Sequence, residues 1–567
     1  MDLITRINTW KQPPFDQATQ RAVHQLEKDP QQLTDAFYKD LEFGTGGMRG
    51  IMGVGTNRIN RYTLGKASQG LSNYLLERYP EEIIKIAIAY DCRNNSASLA
   101  KEVAQVISAN GIEAYLFKEL RPTPQLSFSV RKHQMHCGIV LTASHNPPEY
   151  NGFKVYWKDG GQIIPPVDAA LIDRIQMIDY SEINFEPQIE RIHYFDAPAD
   201  ASYHQAVIED AGGHSQSPEN IDIVFTALHG TSGTAIPAVL SKAGYSKLHI
   251  VEEQQEPNGN FPTVSSPNPE EPQALAMAIE KAKQLKADIA FGTDPDADRL
   301  GIVVPDTQGN YQLLNGNQTM VVMTAYLLEQ TAKNRSLSQK DFIASTVVST
   351  PMMLVLAKAY GVQLIQTLTG FKWIGDQIER NPHLKFVGGG EESYGYLVGT
   401  QVRDKDAVSA ALLACEIASD LKAKGSSFYE YLIQCYQKYG GYKERLIAIK
   451  KEGQEGAKAI LETMERYRQN PPQKLNDIQV IAIEDYAASQ KKFLRKNTVE
   501  PILLPKANVL KFILADGSEI ALRPSGTEPK IKLYCSVQQK WEKNTSWETL
   551  EKTLENRLDR LIAAIKI

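Results

Sequence analysis

The chain reads as an α/β protein: three consecutive similar α/β segments, then a C-terminal α+β segment. Three observations predict this. Short apolar runs alternate with helix-length stretches between about residues 83 and 390, as in strand–helix–strand units. Each segment ends a strand in a loop rich in polar residues, and α/β sheets bind ligands at such loops. Residues 446–567 change pattern to strands, a tight turn and one closing helix.

Length and composition agree. At roughly 150 residues per domain, 567 residues predict three to four domains. Hydrophobic residues are 42% and charged residues 23%, which excludes disorder and low complexity. With 62 basic and 67 acidic residues the net charge is −5, and like charges never run in blocks of five. That argues against nucleic-acid and membrane-surface partners. The five cysteines are odd in number and lack CxxC spacing, so neither a disulfide framework nor a zinc site is expected. The opening MDLITRINTWKQ has no long apolar run, so no signal peptide is expected. The most apolar window, 342–360, is broken by Ser345, Ser349, Thr350 and Pro351 and does not read as a membrane span. The expectation is a soluble, reduced, cytoplasmic protein.

Residues 1–40 look helical and polar, too poor in apolar positions for their own core, and are expected to pack on the first α/β segment. The run 83–90 is the first strand, followed by a polar turn over 91–96, a helix to about Ala109 and a strand over 114–117. A third strand, 138–141, runs into Thr142-Ala143-Ser144-His145-Asn146-Pro147. The pattern returns with a strand at 221–226, a helix from about Gly233, a strand at 248–251, and a strand at 288–291 running into Gly292-Thr293-Asp294. It returns again with a strand at 342–348 and a helix starting at Pro351 under a Ser349 or Thr350 cap. Strands at 362–365 and 385–387 complete the third segment, the latter entering Gly388-Gly389-Gly390. In the last segment, Asp516-Gly517 reads as a two-residue hairpin turn between strands 509–514 and 519–522. Another strand lies at 531–535. Thr545-x-x-Glu548 reads as a capping box for a final helix with Leu550, Leu554, Leu558, Leu561, Ile562 and Ile565 on its apolar face. The resulting domains are a helical extension over 1–40, then 41–205, 206–312, 313–445 and 446–567.

Several loops carry chemistry. Asp294, Asp296 and Asp298 alternate directly after an apolar strand, followed by Arg299. Three carboxylates on one short loop suit a hard divalent cation such as Mg²⁺. An EF-hand needs Gly at loop position six and Glu at twelve, where this chain has Arg299 and Pro305. Ser144 at the end of a buried strand can be a nucleophile, a phosphate acceptor or a helix cap, and taken alone the cap is the commoner role. His145 is a possible base or a structural residue. Arg523-Pro524-Ser525-Gly526-Thr527, with Lys530, offers a guanidinium fork, hydroxyls and an approachable backbone to phosphate. Gly44-Thr45-Gly46-Gly47-Met48-Arg49-Gly50 is a second glycine-rich loop, without the GK[ST] ending of a nucleotide P-loop. Glu391, Glu392 and Ser393 come after a strand and can accept sugar hydroxyls, Thr369-Gly370-Phe371-Lys372 brings a cation and an aromatic, and His229-Gly230 reads as structural.

Four motifs in this order resemble the α-D-phosphohexomutases, the family of phosphoglucomutase and phosphomannomutase. They are TASHNP at 142–147, GTDPDADR at 292–299, GEES at 390–393 and RPSGT at 523–527. The FGTGGMRG opening, Phe261-Pro262-Thr263, Pro267-Asn268-Pro269-Glu270-Glu271 and RPSGTEPKIK are similar to the phosphoglucomutase/phosphopentomutase branch. The segment Asn146 to Lys154 also resembles dual-specific phosphomannomutases, while GEES in place of GEMS points to glucose.

The resemblance implies four domains around a central cleft and an intramolecular phosphotransferase. It would interconvert glucose 1-phosphate and glucose 6-phosphate through a phosphoserine and glucose 1,6-bisphosphate. It implies that Ser144 carries the phosphoryl group and that Asp294, Asp296 and Asp298, with the Ser144 phosphate, hold Mg²⁺. Arg49 and Arg299 would neutralise charge, and Lys154, with His145, would serve as general acid/base. Thr369, Gly370, Lys372, Glu391 and Ser393 would hold the sugar. Arg523, Ser525, Gly526, Thr527 and Lys530 would grip the phosphate that is not reacting. The implied partners are phosphorylated monosaccharides, with the protein a monomer or homodimer. Alternatives are a main activity on mannose or pentose phosphates, a Mg²⁺-dependent sugar phosphatase, and an inactive scaffold of the same fold. A phosphatase has no need of a second phosphate grip.

Overall fold

The structure, a computed structural model, describes residues 2–44, 46–451, 453–525 and 530–567. The chain forms two compact units: Met1–Gly316 with Phe371–Ser427, and Asn317–Gly370 with Phe428–Ile567.

The first unit holds two mixed sheets. In the first, the strand order is Gly47–Ile51, Tyr150–Trp157, Cys137–Leu141, Lys85–Tyr90, Glu113–Phe117 and Ile192–Phe195. The last four are parallel, as the strand–helix–strand reading predicts for three of them, with Ile192–Phe195 added, and the first two run antiparallel to their neighbours. Its strands are apolar on both sides because helices cover both faces. On one face Ile86, Ile88, Ile139 and Leu141 pack with Leu71, Leu75, Val103 and Ile107. On the other, Ala87, Ala89 and Val140 pack with Leu126, Val130 and Ala199. The N-terminal helices Leu3–Thr9, Gln17–Leu26 and Pro30–Phe37 pack on this first segment as expected, with Trp10, Phe15 and Phe37 gathered around Tyr62.

The second sheet has the order Tyr311–Leu313, Leu300–Pro305, Ile289–Thr293, Ile223–Thr226 and Leu248–Ile250. The last three strands are parallel, and the first two fold back antiparallel. Strands Lys385–Gly390 and Tyr396–Leu397 also belong to this unit and pair antiparallel.

In the second unit, Asp341–Thr346 and Gln363–Thr367 are parallel and joined through the helix Met352–Tyr360. That helix starts one residue later than the sequence predicts: Pro351 is its N-cap, and no side chain caps it. The C-terminal sheet runs Gly441–Lys450, Lys530–Gln539, Glu519–Pro524, Leu510–Leu514, Ile478–Asp485, Gln490–Phe493 and Thr498–Pro501, all antiparallel. Its Asp516-Gly517 turn has three residues, 515–517, rather than two. Leu514 N–H donates to Ser518 O at 2.9 Å, and Gly517 takes φ +80°, the left-handed residue of a bulged hairpin. The closing helix Trp547–Ala563 is capped by Ser546, which accepts from Thr549 N at 3.3 Å, and not by Thr545. Of its predicted face Leu550, Leu554, Leu558 and Leu561 are buried, Ile562 is half-buried, and Ile565 is buried but lies past the helix end.

One relation unites the four motif loops. Each lies between two antiparallel strands: 142–149 after Leu141↔Phe153, 294–299 between Thr293↔Leu300, 391–395 between Gly390↔Tyr396, and the chain linking Pro524↔Ile531. A returning strand fixes both ends of its loop, which a single strand end does not.

Candidate active site

The strand Cys137–Leu141 is buried throughout and delivers Ser144, itself only 3% exposed, to its loop. Ser144 takes φ +51°, a left-handed conformation that a residue with a Cβ adopts only when its surroundings enforce it. They do. Ser144 N–H donates to Thr142 Oγ1 at 2.8 Å, and that hydroxyl donates to Asp91 Oδ2 at 2.7 Å. The buried Arg93 guanidinium reaches four carbonyls of the loop: Ser144 at 2.6 Å, Pro147 at 2.8 Å, Tyr150 at 3.1 Å, and Asn146.

The Ser144 hydroxyl donates to Asp294 Oδ2 at 2.9 Å. Asp294, Asp296 and Asp298 are buried, and one carboxylate oxygen of each lies within 4.8 Å of the others. Their hairpin is stiff, because Asp294 Oδ1 accepts from the backbone N–H of Asp298 at 3.0 Å and of Arg299 at 2.9 Å. Thr123 donates its hydroxyl to Asp296 Oδ2 at 3.0 Å and its N–H to Asp296 O at 2.9 Å.

Cations face these acids. The returning strand Tyr150–Trp157 carries Lys154, whose ammonium donates to Asp296 Oδ2 at 2.6 Å and Asp298 Oδ2 at 3.3 Å. Lys405 Nζ lies 2.8 Å from Asp298 Oδ2 and 3.5 Å from Asp404 Oδ1. Arg299 pairs with Glu270, and its Nε is 3.8 Å from Asp298 Oδ1. Burial pushes Asp298 up, but Lys405, Lys154 and Arg299 outweigh it and hold its carboxyl below the usual range. Burial and its two acidic neighbours push Asp294 well up. Burial draws Lys154 down, yet Asp296 and Asp298 keep its ammonium above the ordinary lysine value. His145 is held well below the ordinary histidine range by burial and by Arg299 and Arg49, so its ring is neutral.

The triad fits a hard divalent cation. Asp296 Oδ1 and Asp298 Oδ1 are buried and have no hydrogen-bond partner among the described residues. A buried carboxylate oxygen left unpaired is costly, and a cation coordinated by oxygens would satisfy both.

The other predicted residues divide between the units. Arg49, exposed on Gly47–Ile51, donates to Asn146 Oδ1 at 2.8 Å beside the serine loop. That strand lies close because Gly47, at φ +141°, has no Cβ, where one would sit 1.9 Å from Phe153 O. Glu391 is buried, and its charge acts on Arg299 and Lys405. Ser393 is half-buried in the same hairpin loop. Lys372 opens the helix Lys372–Arg380 and lines a small cleft with Trp157, Asp159 and Asp376. These all belong to the first unit. Thr369 and Gly370, after Gln363–Thr367, belong to the second. So do Arg523, Ser525 and Lys530, where Ser525 N–H donates to Lys530 O at 2.7 Å and closes the hairpin end. Gly526 and Thr527 lie outside the described residues. His229 is structural, as the sequence suggests: its ring contacts Thr263 Oγ1 at 2.9 Å and Glu256 O at 3.1 Å.

Sequence reasoning missed Asp91, Arg93, Thr123 and Lys405. A signal was present for two of them. Arg93 sits in the polar turn after a buried strand, and Lys405 sits in Arg403-Asp404-Lys405-Asp406, a charged run entering the largely apolar helix Ala407–Ala423.

The chain is similar to known proteins over most of its length. Residues 40–182, 201–309 and 315–439 match the family descriptions phosphoglucomutase/phosphomannomutase alpha/beta/alpha domains I, II and III in turn. A phosphoglucomutase of Staphylococcus epidermidis is 38% identical over 506 residues, 88% of this chain and 90% of that protein. A phosphoglucomutase of Staphylococcus aureus is 38% identical over 512 residues, 89% and 91% of the two chains. Among solved structures, a phosphoglucomutase/phosphomannomutase family protein from Burkholderia thailandensis aligns with TM-score 0.64 at 19% identity, covering 92% of this chain and 97% of that one. Parafusin from Paramecium, in an open form, aligns with TM-score 0.67 at 18% identity, covering 93% and 96%.

Proposed function

Because the chain belongs to the phosphoglucomutase/phosphomannomutase family, we propose that it is a phosphoglucomutase, interconverting glucose 1-phosphate and glucose 6-phosphate. The observation that carries the reading is the Ser144 hydroxyl, 2.9 Å from Asp294 inside a buried acidic triad ringed by Lys154, Lys405 and Arg299. A phosphoryl group on Ser144 needs charge neutralisation and positioning far more than covalent assistance.

In the forward half, a hydroxyl oxygen of the sugar phosphate attacks the phosphorus on Ser144. The new sugar O–P bond forms as the Ser144 Oγ–P bond breaks, giving glucose 1,6-bisphosphate. The bisphosphate reverses, and Ser144 Oγ takes the other phosphoryl group, releasing the isomeric monophosphate. In the first half the sugar hydroxyl gives up a proton and the departing Ser144 Oγ takes one; in the second the Ser144 hydroxyl gives up its proton and the departing sugar oxygen takes one. Lys154, held as an ammonium, donates to the departing oxygen in each half and recovers the proton from the attacking hydroxyl, with neutral His145 relaying it, so both residues end the cycle as they began it. Arg299 and Arg49 balance the phosphoryl charge. Mg²⁺ bound by Asp294, Asp296 and Asp298 would supply Lewis-acid neutralisation at the transferring group. Glu391 and Ser393 accept sugar hydroxyls, Lys372 selects which end of the sugar is presented, and Thr369 and Gly370 complete the sugar contacts. Arg523, Ser525, Gly526, Thr527 and Lys530 grip the idle phosphate, which a mutase needs and a phosphatase does not. The setting we propose is the cytoplasm. No helix of the described residues is long and apolar enough to cross a membrane.

The test is a coupled assay with glucose 1-phosphate, mannose 1-phosphate and ribose 1-phosphate, with inorganic phosphate followed in parallel. Glucose 1-phosphate should give the highest kcat/KM without phosphate release. Arg523→Ala should raise KM for glucose 1-phosphate and glucose 6-phosphate together, about tenfold to a hundredfold in kcat/KM. Stoichiometric release of phosphate, or a variant with unchanged KM, would favour the phosphatase.

A further inference from the structure

The second unit contains a cavity of about 480 Å³ that uses none of the residues assigned above. Five segments converge on it, one of them the 515–517 turn with Asp516. The helix Phe428–Tyr439 brings Lys438 and Tyr439, and Gly440, at φ +102°, turns the chain into the strand Gly441–Lys450, which brings Tyr442. The end of Lys530–Gln539 is followed by Lys540 and Trp541, and the closing helix contributes Arg557. The volume falls within the range of roughly 300–1,000 Å³ usual for small-molecule sites.

The charge of the lining is unbalanced. Asp516, the only acid in it, pairs with Arg557. Arg557 is further fixed by donating to Gln538 O at 3.0 Å and Gln539 Oε1 at 3.3 Å. Lys438 and Lys540 have no carboxylate within ion-pair distance among the described residues. The Lys438 ammonium instead lies 4.9 Å from the Tyr439 ring centre and 5.7 Å from that of Tyr360. Lys438 and Lys540, both exposed, therefore line one cavity whose single acid, Asp516, is taken up by Arg557.

The aromatic part is preorganised. The Trp541 indole donates to Thr545 O at 2.8 Å and packs 5.4 Å from Trp547, which stacks on Tyr436 at 5.0 Å. A ring held this way loses little freedom when a ligand packs on it. Fixed aromatic rings beside unpaired ammonium groups suit a ligand with an anionic end and a compact ring. We propose that this cavity is a second small-molecule site, which binds a phosphate monoester carried on a ring. Lys438 and Lys540 receive the phosphate, and Trp541, Tyr439 and Tyr442 receive the ring. A phosphorylated monosaccharide and a nucleoside monophosphate share this chemistry.

The experiment uses the full chain labelled with 5-fluorotryptophan. Its five tryptophans give few fluorine resonances, and Trp541→Phe assigns the one in question. Glucose 6-phosphate, AMP and inorganic phosphate are titrated separately, with glucose as the uncharged control. The Trp541 resonance should shift saturably with one or both esters and not with glucose, and the arm that responds identifies the source. In the double variant Lys438→Glu, Lys540→Glu the affinity read from that shift should fall about tenfold or more, with mutase kcat and KM unchanged. A Trp541 resonance that ignores both esters, responds to inorganic phosphate alone, or shifts equally in the double variant overturns the proposal. Mutase activity does not enter this readout, so its outcome is separate from that of the catalytic reading.

Discussion

Ser144 and Asp294 are hydrogen-bonded at 2.9 Å although they stand on hairpin loops of two different sheets. Each loop is fixed on its own before they meet, Ser144 by Thr142 and Arg93, and Asp294 by the N–H groups of Asp298 and Arg299. Ser144 and the acidic triad are thus positioned by backbone and buried side chains rather than by each other. A site preorganised in this way loses little on reorganisation during phosphoryl transfer.

Arg93 should matter to rate without touching substrate. Lys at this position keeps the charge but cannot span the four carbonyls of Ser144, Asn146, Pro147 and Tyr150. Arg93→Lys should lower kcat by about a hundredfold through misplacement of Ser144, with little change in KM. Steady-state kinetics on folded variant, verified by circular dichroism, checks this. An unchanged kcat would show that the loop keeps its shape without the clamp.

The triad should be inert without its cation. Chelation should abolish activity, and added Mg²⁺ should restore it. Asp298→Asn should weaken Mg²⁺ binding in calorimetry and lower kcat about a hundredfold or more. The same substitution leaves Lys154 and Lys405 short of a shared counter-charge, so the loss should persist at saturating Mg²⁺. Full activity in chelated enzyme would contradict the assignment.

Asp406 provides a pH test at a carboxyl outside the acidic triad. Burial pushes its carboxyl up to about 6, although Ser409 and Val408 N–H groups and the Tyr203 hydroxyl donate to it. A carboxyl raised on folding binds more protons in the native than in the unfolded state between about pH 4 and 6. Its contribution to stability is therefore full below that window and is lost as pH rises through it. Asp406→Asn keeps the helix cap and removes the titration. Relative to wild type it should gain up to about 3 kcal/mol between pH 4 and pH 7. Urea unfolding of both proteins at the two pH values measures the difference, and parallel pH profiles would refute it.

The fold and the site differ in how much of each the sequence shows. The buried parallel strands are legible because they read as unbroken apolar runs, and the triad is legible because its carboxylates alternate in one loop. The returning strands are not. Tyr150–Trp157 carries Asn151, Gly152 and Lys154, and Leu300–Pro305 carries Gly301, which read locally as loop. In the structure Gly152 and Gly301 serve close packing: a Cβ on Gly152 would lie 2.5 Å from Thr142 O, and one on Gly301 would lie 2.4 Å from Pro269 O. Arg93 and Lys405 stand in a polar turn and a charged run that mark them locally, but their partners are carbonyls and carboxylates far along the chain, so the local pattern does not say what they bind. The Asp516-Gly517 turn was recognisable as a turn, but its length depends on strand register, which the flanking residues leave open.

The central claim is that Ser144 carries the phosphoryl group that moves between sugar positions. The direct measurement is mass spectrometry of the peptide containing Ser144, after incubation with glucose 1,6-bisphosphate and again after a chase with glucose 6-phosphate. The account predicts one phosphoryl group on Ser144 after the first step. The chase should move it to glucose 1,6-bisphosphate without release of inorganic phosphate, and Ser144→Ala should show neither phosphorylation nor turnover. Phosphorylation at another residue, transfer of the group to water, or full turnover by Ser144→Ala would contradict it.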